Sequence, residues 1–282
     1  MAKLLEGKCV AEKIKEALIQ QVGLLKVKPV LASILVGQNA GAASYVKSQA
    51  KVAEALGIAY QLHAFPEDTT ESALIDFIQK LNADTSVHGI IIQMPLPKPI
   101  DYKKTSQFIA PHKDVEGMHP VHMGKIVFGA SAISPCTPAA VMELLKESGV
   151  DLYGKEVVVV GHSEIVGKPL ALLLLEKFAT VTVCHIGTSK AGKLEEHVKK
   201  AEVLIVAVGK AGLIKGEWVK TGAIVIDVGI NRVGDKIVGD VEFETAQKRA
   251  SFITPVPGGV GPLTVTMLMR NVVEAAKLQQ IR

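Results

Sequence analysis

VVVVGHSEIVG, residues 157–167, is the stretch of this chain that decides its fold. The four valines predict a buried strand, and Gly161 ends that strand in a turn that leads toward a helix. Such a turn exposes backbone N–H groups at a helix N-terminus, where they and the helix dipole attract phosphate. The match to G-x-G-x-x-G is imperfect, because Ser163 takes the second glycine position and Gly167 comes one residue late. Alone, the stretch is typical both of nucleotide sites and of sheets that bind nothing.

The composition of the 282 residues fits two α/β domains of common size. Hydrophobic residues make up 48% and aromatic residues 4%, so the cores must consist of Val, Ile, Leu and Ala, as in buried parallel strands. The sequence has no apolar run near the ~20 residues of a membrane-spanning helix, and its first ten residues lack the apolar region of a signal peptide. We therefore expect a cytoplasmic protein with no membrane partner. The net charge of +4 comes from dispersed lysines, which favours a small anionic ligand over nucleic acid.

The cysteines and histidines show no metal-binding pattern. Cys9, Cys136 and Cys184 are far apart and lack C-x-x-C spacing, so we expect neither a zinc site nor a disulfide framework. We predict that all three are reduced and buried. His119 and His122 have no carboxylate or third histidine at ligand spacing, which favours loop or packing roles and no metal cofactor.

Strand and helix patterns alternate along the chain, which predicts parallel α/β sheets. The first half predicts a helix through Ala17, a strand over Val30 to Val36, a helix over 44–56 with Ser44 as N-cap and Gly57 as stop, a strand near Tyr60, a helix from Thr70 and a strand over 89–93. The second half predicts a helix from Thr137 and strands at 156–160, 180–184, 203–207 and 223–228. Between the proline-rich segments 94–99 and 133–138 we expect a loop that carries KDVEG. The predicted fold is two α/β domains, the second a Rossmann-type parallel sheet, with an interdomain cleft.

Four other segments have unusual residue choices. SYVKSQAK places Tyr45 and Gln49 four residues apart, about 40° apart around a helix. GIIIQMPLP delivers Gln93 at the end of a buried strand, where open α/β sheets usually bind ligands. HKDVEG offers Asp114 and Glu116 in a loop, and TPVPGGVGPLTVTML places a rigid proline- and glycine-rich loop before a helix. Each segment alone is also typical of an exposed tyrosine, a strand-end glutamine, an acidic loop or a packing turn.

Taken together and in order, these segments resemble the methylenetetrahydrofolate dehydrogenase/cyclohydrolase family over essentially the whole chain. The motifs that carry the resemblance are YVKSQAK, GIIIQMPLP, KDVEG, SPCTP, GHSEIVGKP, DVGIN and PVPGGVGP. The resemblance implies a cytoplasmic homodimer of one-carbon metabolism and purine biosynthesis that oxidises 5,10-methylenetetrahydrofolate with NADP and commonly hydrolyses the 5,10-methenyl product to 10-formyltetrahydrofolate. It also implies a folate-binding domain over residues 1–135, completed by a C-terminal helix over 263–282, and an NAD(P)-binding domain over 136–262.

The resemblance also implies which residues meet the folate. Tyr45 would stack on the folate ring, and Gln93 would hydrogen-bond the neighbouring side chain that acts in hydrolysis. Glu116 falls where an aspartate usually binds the amino edge of the pterin. The expected catalytic residues are Tyr45, Gln49, Gln93 and Glu116. The backbone expected near folate and nicotinamide belongs to Pro257, Gly258 and Gly259.

Gln49 is the departure from the family pattern with the largest consequence, because the catalytic lysine normally stands at this position. Hydride transfer mainly needs the donor carbon held against the nicotinamide. Hydrolysis needs a titratable side chain, since water must lose a proton and a ring nitrogen must gain one. Lys47 and Lys51 lie about 200° and 240° around the helix from Tyr45, so neither replaces the missing lysine. We expect a dehydrogenase with weak or absent cyclohydrolase activity.

The cofactor preference is a separate question. The residues expected to contact the dinucleotide are Gly161, His162, Ser163, Ile165, Ile186, Thr188 and Ile230. His162 stands where an arginine often meets the 2′-phosphate of NADP, and Ile186 stands where a polar residue is common. CHIGTSK, however, has no acidic residue of the kind that holds the ribose hydroxyls of NAD. We expect NADP, with NAD as an alternative.

Two rival interpretations remain open. One is a binding paralogue without turnover, since Gln49, Glu116 and His162 all depart from the family pattern. The other is a different dehydrogenase of the same fold, which does not account for GIIIQMPLP and PVPGGVGP together.

Overall fold

Parallel β-sheets form the centre of both units into which the chain divides. The structure is a computed structural model and describes residues 1–280. The first unit comprises Met1–Glu12 and Thr137–Thr264, and the second comprises Lys13–Cys136 and the described residues from Val265 onward. None of the described helices is long and apolar enough to cross a membrane.

The bounds of the elements are as follows. The strands are β1 (Lys3–Leu4), β2 (Val30–Val36), β3 (Ala59–Phe65), β4 (Gly89–Ile92), β5 (Glu156–Val160), β6 (Thr180–Cys184), β7 (Val203–Val206), β8 (Ile224–Asp227), β9 (Asn231–Val233), β10 (Lys236–Val238) and β11 (Phe252–Ile253). The α-helices are α1 (Gly7–Gly23), α2 (Ala40–Ala55), α3 (Glu71–Ala83), α4 (Tyr102–Ser106), α5 (Pro120–Val127), α6 (Cys136–Ser148), α7 (Gly167–Leu175), α8 (Ile186–Lys190), α9 (Leu194–Lys200), α10 (Phe243–Ala246) and α11 (Val260–Gln280). Short 3-10 helices span Pro111–Lys113 and Gly216–Trp218.

The first unit is built on a six-stranded parallel sheet in the order β1-β11-β8-β7-β5-β6. The valines of β5 and all of β7 and β8 are buried, as expected for strands covered by helices on both faces. The same unit also contains an antiparallel hairpin, β9–β10, which forms a separate two-stranded sheet. The structure thus confirms the predicted parallel α/β fold.

Two glycines shape the turn between β5 and α7. Gly161 has a φ of 129°, and a Cβ atom on it would lie 2.3 Å from the carbonyl oxygen of Ala207. A Cβ atom on Gly167 would lie 2.1 Å from the carbonyl oxygen of Gly161. A side chain at either position therefore forces the backbone apart, and the close turn requires glycine at both.

The second unit contains a three-stranded parallel sheet in the order β3-β2-β4. The predicted strand over Val30–Val36 is observed with the same bounds. Helix α3 begins at Glu71, close to the predicted start, and Thr70 caps it by accepting a hydrogen bond from the backbone N–H of Ala73 at 3.2 Å. Apolar residues of the sheet pack with α3 into one core cluster, which includes Ala32, Ile34, Leu74, Ile78, Ile90 and Ile92.

Several local predictions were wrong. Ser44 is not the N-cap of α2, because Asn39, five residues earlier, accepts a hydrogen bond from Ala42 N–H at 3.0 Å and starts the helix. The alanines between them are strong helix formers that the prediction left in a loop. The expected loop around KDVEG also contains α4 and α5. Cys9 is exposed, whereas Cys136 and Cys184 are buried as predicted.

The C-terminal helix carries a buried asparagine that fixes the KDVEG segment. Helix α11 runs over Val260–Gln280, and residues 281 and 282 of the predicted helix lie outside the described residues. The side-chain amide of Asn271 donates to the carbonyl oxygens of Val115 and Ser134, each at 2.9 Å. One side chain thus pairs two buried carbonyl groups that would otherwise lack these donors.

Candidate functional site

Four polar side chains of the second unit form one hydrogen-bonded group, here called the amide cluster: Ser33, Gln49, Tyr60 and Gln93. Gln93 donates to Gln49 Oε1 at 2.8 Å, and Gln49 donates back to Gln93 Oε1 at 3.4 Å. The Tyr60 hydroxyl also donates to Gln49 Oε1, at 2.9 Å. Gln93 has a second acceptor in the Ser33 hydroxyl at 3.0 Å. Both amides are therefore buried and paired.

Three strands and one helix bring the amide cluster together. Gln93 directly follows β4, and its backbone N–H donates to the carbonyl of Ile34 in β2 at 2.8 Å, which continues the ladder by one residue. Ser33 lies in the middle of β2 and Tyr60 near the start of β3, the strand that pairs with β2 on the side opposite β4. Gln49 enters from α2, the crossover between β2 and β3. The sequence predicted Gln93 at a strand end but gave no signal for Ser33 or Tyr60.

Tyr45 lies one helical turn before Gln49 on α2. Its side chain is 38% exposed, yet burial of the hydroxyl raises its pKa above the ordinary value. Burial likewise raises the pKa of Tyr60. Lys47 and Lys51 are exposed on the same helix. The amide cluster and Tyr45 thus supply hydrogen bonds but no group that changes charge near neutral pH.

Glu116 is a carboxyl group of the second unit whose pKa lies near neutral pH. Its loop is folded around Asp114, whose carboxylate accepts backbone N–H bonds from Glu116 at 3.1 Å, Gly117 at 3.1 Å and His119 at 2.7 Å. Glu116 Oε2 accepts a hydrogen bond from the Tyr102 hydroxyl at 2.8 Å. Burial raises the pKa of Glu116 to about 7, although the bond from Tyr102 acts in the opposite direction. This carboxyl group therefore titrates near neutral pH.

The first unit has a pocket of about 340 Å³ at the carboxyl ends of β5, β6 and β7. Open parallel sheets usually bind their ligands at this edge. The wall contains apolar side chains together with two imidazoles, two hydroxyls and one ammonium group. The lining residues are Val160, Gly161, His162, Ser163, His185, Ile186, Ser189, Leu194, Ala207, Val208, Lys210 and Leu213.

The pocket brings together four of the seven residues expected to contact a dinucleotide: Gly161, His162, Ser163 and Ile186. The other three, Ile165, Thr188 and Ile230, do not line it. Thr188 instead caps α8 by accepting a hydrogen bond from His185 N–H at 3.2 Å. Ile165 and Ile230 are exposed apolar side chains.

His185 and Lys210 line the pocket but were not predicted. The ring centroids of His162 and His185 are 5.1 Å apart. His185 Nδ1 accepts a hydrogen bond from Gly187 N–H at 3.1 Å, which leaves the proton of the neutral ring on Nε2. The CHIGTSK segment was a sequence signal for His185, but nothing in the sequence indicated that Lys210 would line this pocket.

Two buried carboxylates hold the loops around the pocket. Asp240 accepts backbone N–H bonds from Val208 at 2.7 Å, Gly209 at 2.9 Å and Lys210 at 2.8 Å. Asp227, the last residue of β8, accepts three more from Gly229, Asp240 and Val241 at 2.9, 3.1 and 2.8 Å. Burial raises the pKa of Asp227 to about 6, against the lowering effect of these bonds. DVGIN is one of the motifs that carry the family resemblance, but nothing in the sequence indicated this role of Asp227.

Pro257, Gly258 and Gly259 lie in the loop before α11, in the first unit. Gly258 has a φ of 111°, and its carbonyl oxygen accepts a hydrogen bond from Gly7 N–H at 3.0 Å. A Cβ atom on Gly259 would lie 2.7 Å from the Cβ of Thr254. The backbone of this loop is therefore closely packed. Within residues 1–280, no group of three His, Cys, Asp or Glu side chains is placed to hold a metal ion.

Two family models match most of the chain. Residues 5–116 match the tetrahydrofolate dehydrogenase/cyclohydrolase catalytic domain. Residues 135–280 match the NAD(P)-binding domain of the same family.

Whole proteins match over nearly their full lengths. The bifunctional protein FolD of Acetivibrio thermocellus is 53% identical over 282 residues, which cover 99% of this chain and 98% of that protein. The crystal structure of the bifunctional enzyme FolD from Campylobacter jejuni has a TM-score of 0.95 at 46% identity and covers 99% of both chains. The FolD structure from Trypanosoma brucei, complexed with NADP and an inhibitor, has a TM-score of 0.95 at 40% identity and covers 100% of this chain and 99% of that one.

We predict that Asp240→Asn disorders the loop over residues 208–210. An amide turns its N–H₂ group toward backbone donors that need an acceptor, so the free energy of unfolding should fall by about 2 kcal/mol. Nucleotide affinity should fall about tenfold, because the loop forms part of the pocket wall. Urea unfolding and calorimetric titration with NADP measure the two effects. Asp235→Asn, in the exposed β9–β10 turn, is the control. An unchanged affinity in Asp240→Asn would contradict the positioning role.

Proposed function

Because this chain belongs to the tetrahydrofolate dehydrogenase/cyclohydrolase family, we propose that it oxidises 5,10-methylenetetrahydrofolate to 5,10-methenyltetrahydrofolate with NADP. The observation that carries the proposal is the pocket at the carboxyl edge of β5–β7, in a chain that matches the family along almost its whole length. Bound NADP would supply the hydride acceptor for this oxidation. The chain's own task is to hold the two ligands in register and to keep water away.

We propose two domains with a boundary near residue 135. Residues 1–135, completed by the helix from 263 onward, form the folate-binding domain, and residues 136–262 form the NAD(P)-binding domain. The first matched range ends at 116 and the second begins at 135, which supports a boundary near residue 135. The placement of the C-terminal helix is supported instead by the grouping of the described residues from Val265 onward with the second unit. Strand β1 pairs with β11, so Met1–Glu12 adds to the nucleotide-binding unit.

The pocket in the first unit fits the chemistry of a dinucleotide. Its apolar residues, among them Ile186 and Leu213, suit a planar base or ribose. Hydroxyl, imidazole and ammonium donors from Ser163, His185 and Lys210 suit phosphate oxygens. We propose that Gly161, His162, Ser163 and Ile186 contact the cofactor from this wall, with Ile165, Thr188 and Ile230 near its rim.

The proposed folate-binding side chains lie in the second unit. Tyr45 offers a partly exposed ring for stacking, and Gln93 and Glu116 offer hydrogen bonds. The family resemblance also proposes backbone contacts to folate from Pro257, Gly258 and Gly259. This assignment is supported by the positions of these residues in the family motifs and by the hydrogen bonds that hold the Gln49 and Gln93 amides in place.

We propose that cyclohydrolase activity is weak or absent. Gln49 occupies the position of the family's lysine, is buried, and forms a reciprocal pair with Gln93. A neutral amide in this cluster neither takes a proton from water nor gives one to a leaving nitrogen. Hydride transfer makes no such demand, so the same substitution leaves oxidation intact.

We predict that the wild-type protein reduces NADP in the presence of 5,10-methylenetetrahydrofolate but accelerates 5,10-methenyltetrahydrofolate hydrolysis less than about twofold over the spontaneous rate. Gln49→Lys should raise the rate of hydrolysis at least about tenfold. This is a conservative figure, because general acid–base catalysis typically contributes about 100-fold or more. The ammonium group has acceptors in Gln93 Oε1 and the Tyr60 oxygen. Absorbance assays measure both reactions.

Gln49→Met is the control for this experiment, because it keeps the size of the side chain without a charge. Rapid hydrolysis by the wild type, or a reducing Gln49→Lys enzyme that gains none, contradicts the proposed role of Gln49. Binding of both ligands without reduction would instead support a binding paralogue.

NADP is the proposed cofactor, with His162 and Lys210 as partners of its 2′-phosphate. We predict that His162→Arg raises the ratio of kcat/KM for NADP to that for NAD about tenfold, because guanidinium keeps its charge and binds phosphate in a bidentate manner. His197→Arg on α9 makes the same change outside the pocket and should leave the ratio unchanged. A wild-type preference for NAD would overturn the assignment of NADP.

We further propose that the enzyme works in the cytoplasm as a homodimer. Its three cysteines are free, which suits a reducing compartment, and the family resemblance supports the dimer. Light scattering of the purified chain should give about twice its mass of 30.0 kDa. A mass of one chain at micromolar concentration would contradict the homodimer.

A further inference from the structure

The hydrogen bond between Tyr102 and Glu116 joins two residues that are each held in place separately. Tyr102 is the first residue of α4, whose N-cap, Asp101, accepts a hydrogen bond from Lys103 N–H at 2.8 Å. The Tyr102 side chain packs against the core cluster of the three-stranded sheet. The backbone of Glu116 is held by Asp114 at 3.1 Å. The bond of 2.8 Å from the Tyr102 hydroxyl to Glu116 Oε2 therefore fixes the carboxyl group itself.

The second oxygen of Glu116 has a different environment. Among the described residues, no donor hydrogen-bonds to Oε1. The side chain is half-buried, so this oxygen has lost part of its hydration without gaining a protein partner. A ligand that presents an N–H group supplies the missing donor, and the pterin ring of a folate carries N–H donors on one edge.

We propose that Tyr102 is a positioning residue that holds Glu116 Oε2 so that Oε1 is presented as a fixed acceptor to an N–H donor of the folate. This inference rests on the proposed function, because it names how that substrate is recognised. A glutamate has one more rotatable bond than the aspartate usual at this position, and a free glutamate loses that freedom on binding. The hydrogen bond from the Tyr102 hydroxyl restricts the rotation of the Glu116 side chain before folate binds.

Tyr102→Phe tests the proposal, because it keeps the ring in the core and removes only the hydroxyl. The KM for 5,10-methylenetetrahydrofolate should rise about tenfold, as for loss of one hydrogen bond to a charged group, while kcat and the KM for NADP change less than about twofold. Tyr153→Phe, which removes a hydroxyl from an exposed tyrosine of the first unit, should change none of these values. A Tyr102→Phe enzyme with unchanged folate KM would overturn the proposal, even if its melting temperature falls.

The pH profile separates positioning from a structural role. Tyr45, Asp114 and Cys136 also interact electrostatically with the Tyr102–Glu116 pair, and Arg270 of α11 acts on Cys136. A folate N–H donor prefers the ionised carboxylate, so kcat/KM should fall as the pH drops through the pKa of Glu116, about 7. Removal of the hydroxyl raises this pKa further, because the lost bond favours the charged form. The acid limb of Tyr102→Phe should therefore move to higher pH, and an unmoved limb contradicts the proposal.

A double-mutant cycle with Glu116→Asp completes the test. The shorter stem withdraws the carboxylate from Tyr102, so Tyr102→Phe should cost less than about twofold in folate KM once Glu116 is Asp. Additive effects of the two changes would overturn the proposal.

Calorimetric titration with tetrahydrofolate repeats the cycle without turnover. A wild type that binds folate but does not reduce NADP refutes the proposed dehydrogenase activity, yet the same variants still support or overturn the role of Tyr102. A wild type that binds no folate overturns both.

Discussion

Buried carboxylates that each gather three backbone N–H groups are the interaction on which the candidate sites depend. Asp240 and Asp227 do so in the first unit, and Asp114 does so in the second. A desolvated carboxylate requires such donors, and loops without regular structure have N–H groups to offer. Each loop therefore takes one conformation around its carboxylate. The groups expected to meet ligands, such as His162, Lys210 and Glu116, stand on or beside loops that are ordered in this way.

The amide cluster shows how a buried site functions without charge. A lysine at position 49 would place an ammonium group where the side chain has no exposure, and removing that charge from water costs free energy. Gln49 instead supplies one donor and one acceptor, and Gln93 supplies the complementary pair. Tyr60 donates a second hydrogen bond to Gln49 Oε1, and the Ser33 hydroxyl accepts the second N–H of Gln93. The cluster is thus electrically neutral and rigid, which suits positioning better than proton transfer.

The sequence predicted the features that depend on local pattern. The strand Val30–Val36, the helix start near Thr70 and the glycine turn at Gly161 follow from hydrophobic runs and backbone preferences, and the structure contains each. The helix start was misplaced because Asn39 and Ser44 are both good caps, and only the observed hydrogen bond distinguishes them. Partners distant in sequence left no local signal. Asp240 meets a loop about 30 residues away, and Tyr102 meets Glu116 across 14 positions, so tertiary structure was needed to pair them.

The three departures from the family pattern each have a specific partner. Gln49 pairs with Gln93, Glu116 accepts from Tyr102, and His162 lies beside His185. In a site that had lost its function, substitutions would arise without matching partners. Buried polar atoms would then be left unpaired, which destabilises the folded protein. Here Gln49 and one carboxylate oxygen of Glu116 are hydrogen-bonded by neighbours from other elements. This favours a site retuned for hydride transfer over a decayed one, because positioning survives in full where proton transfer by a lysine does not.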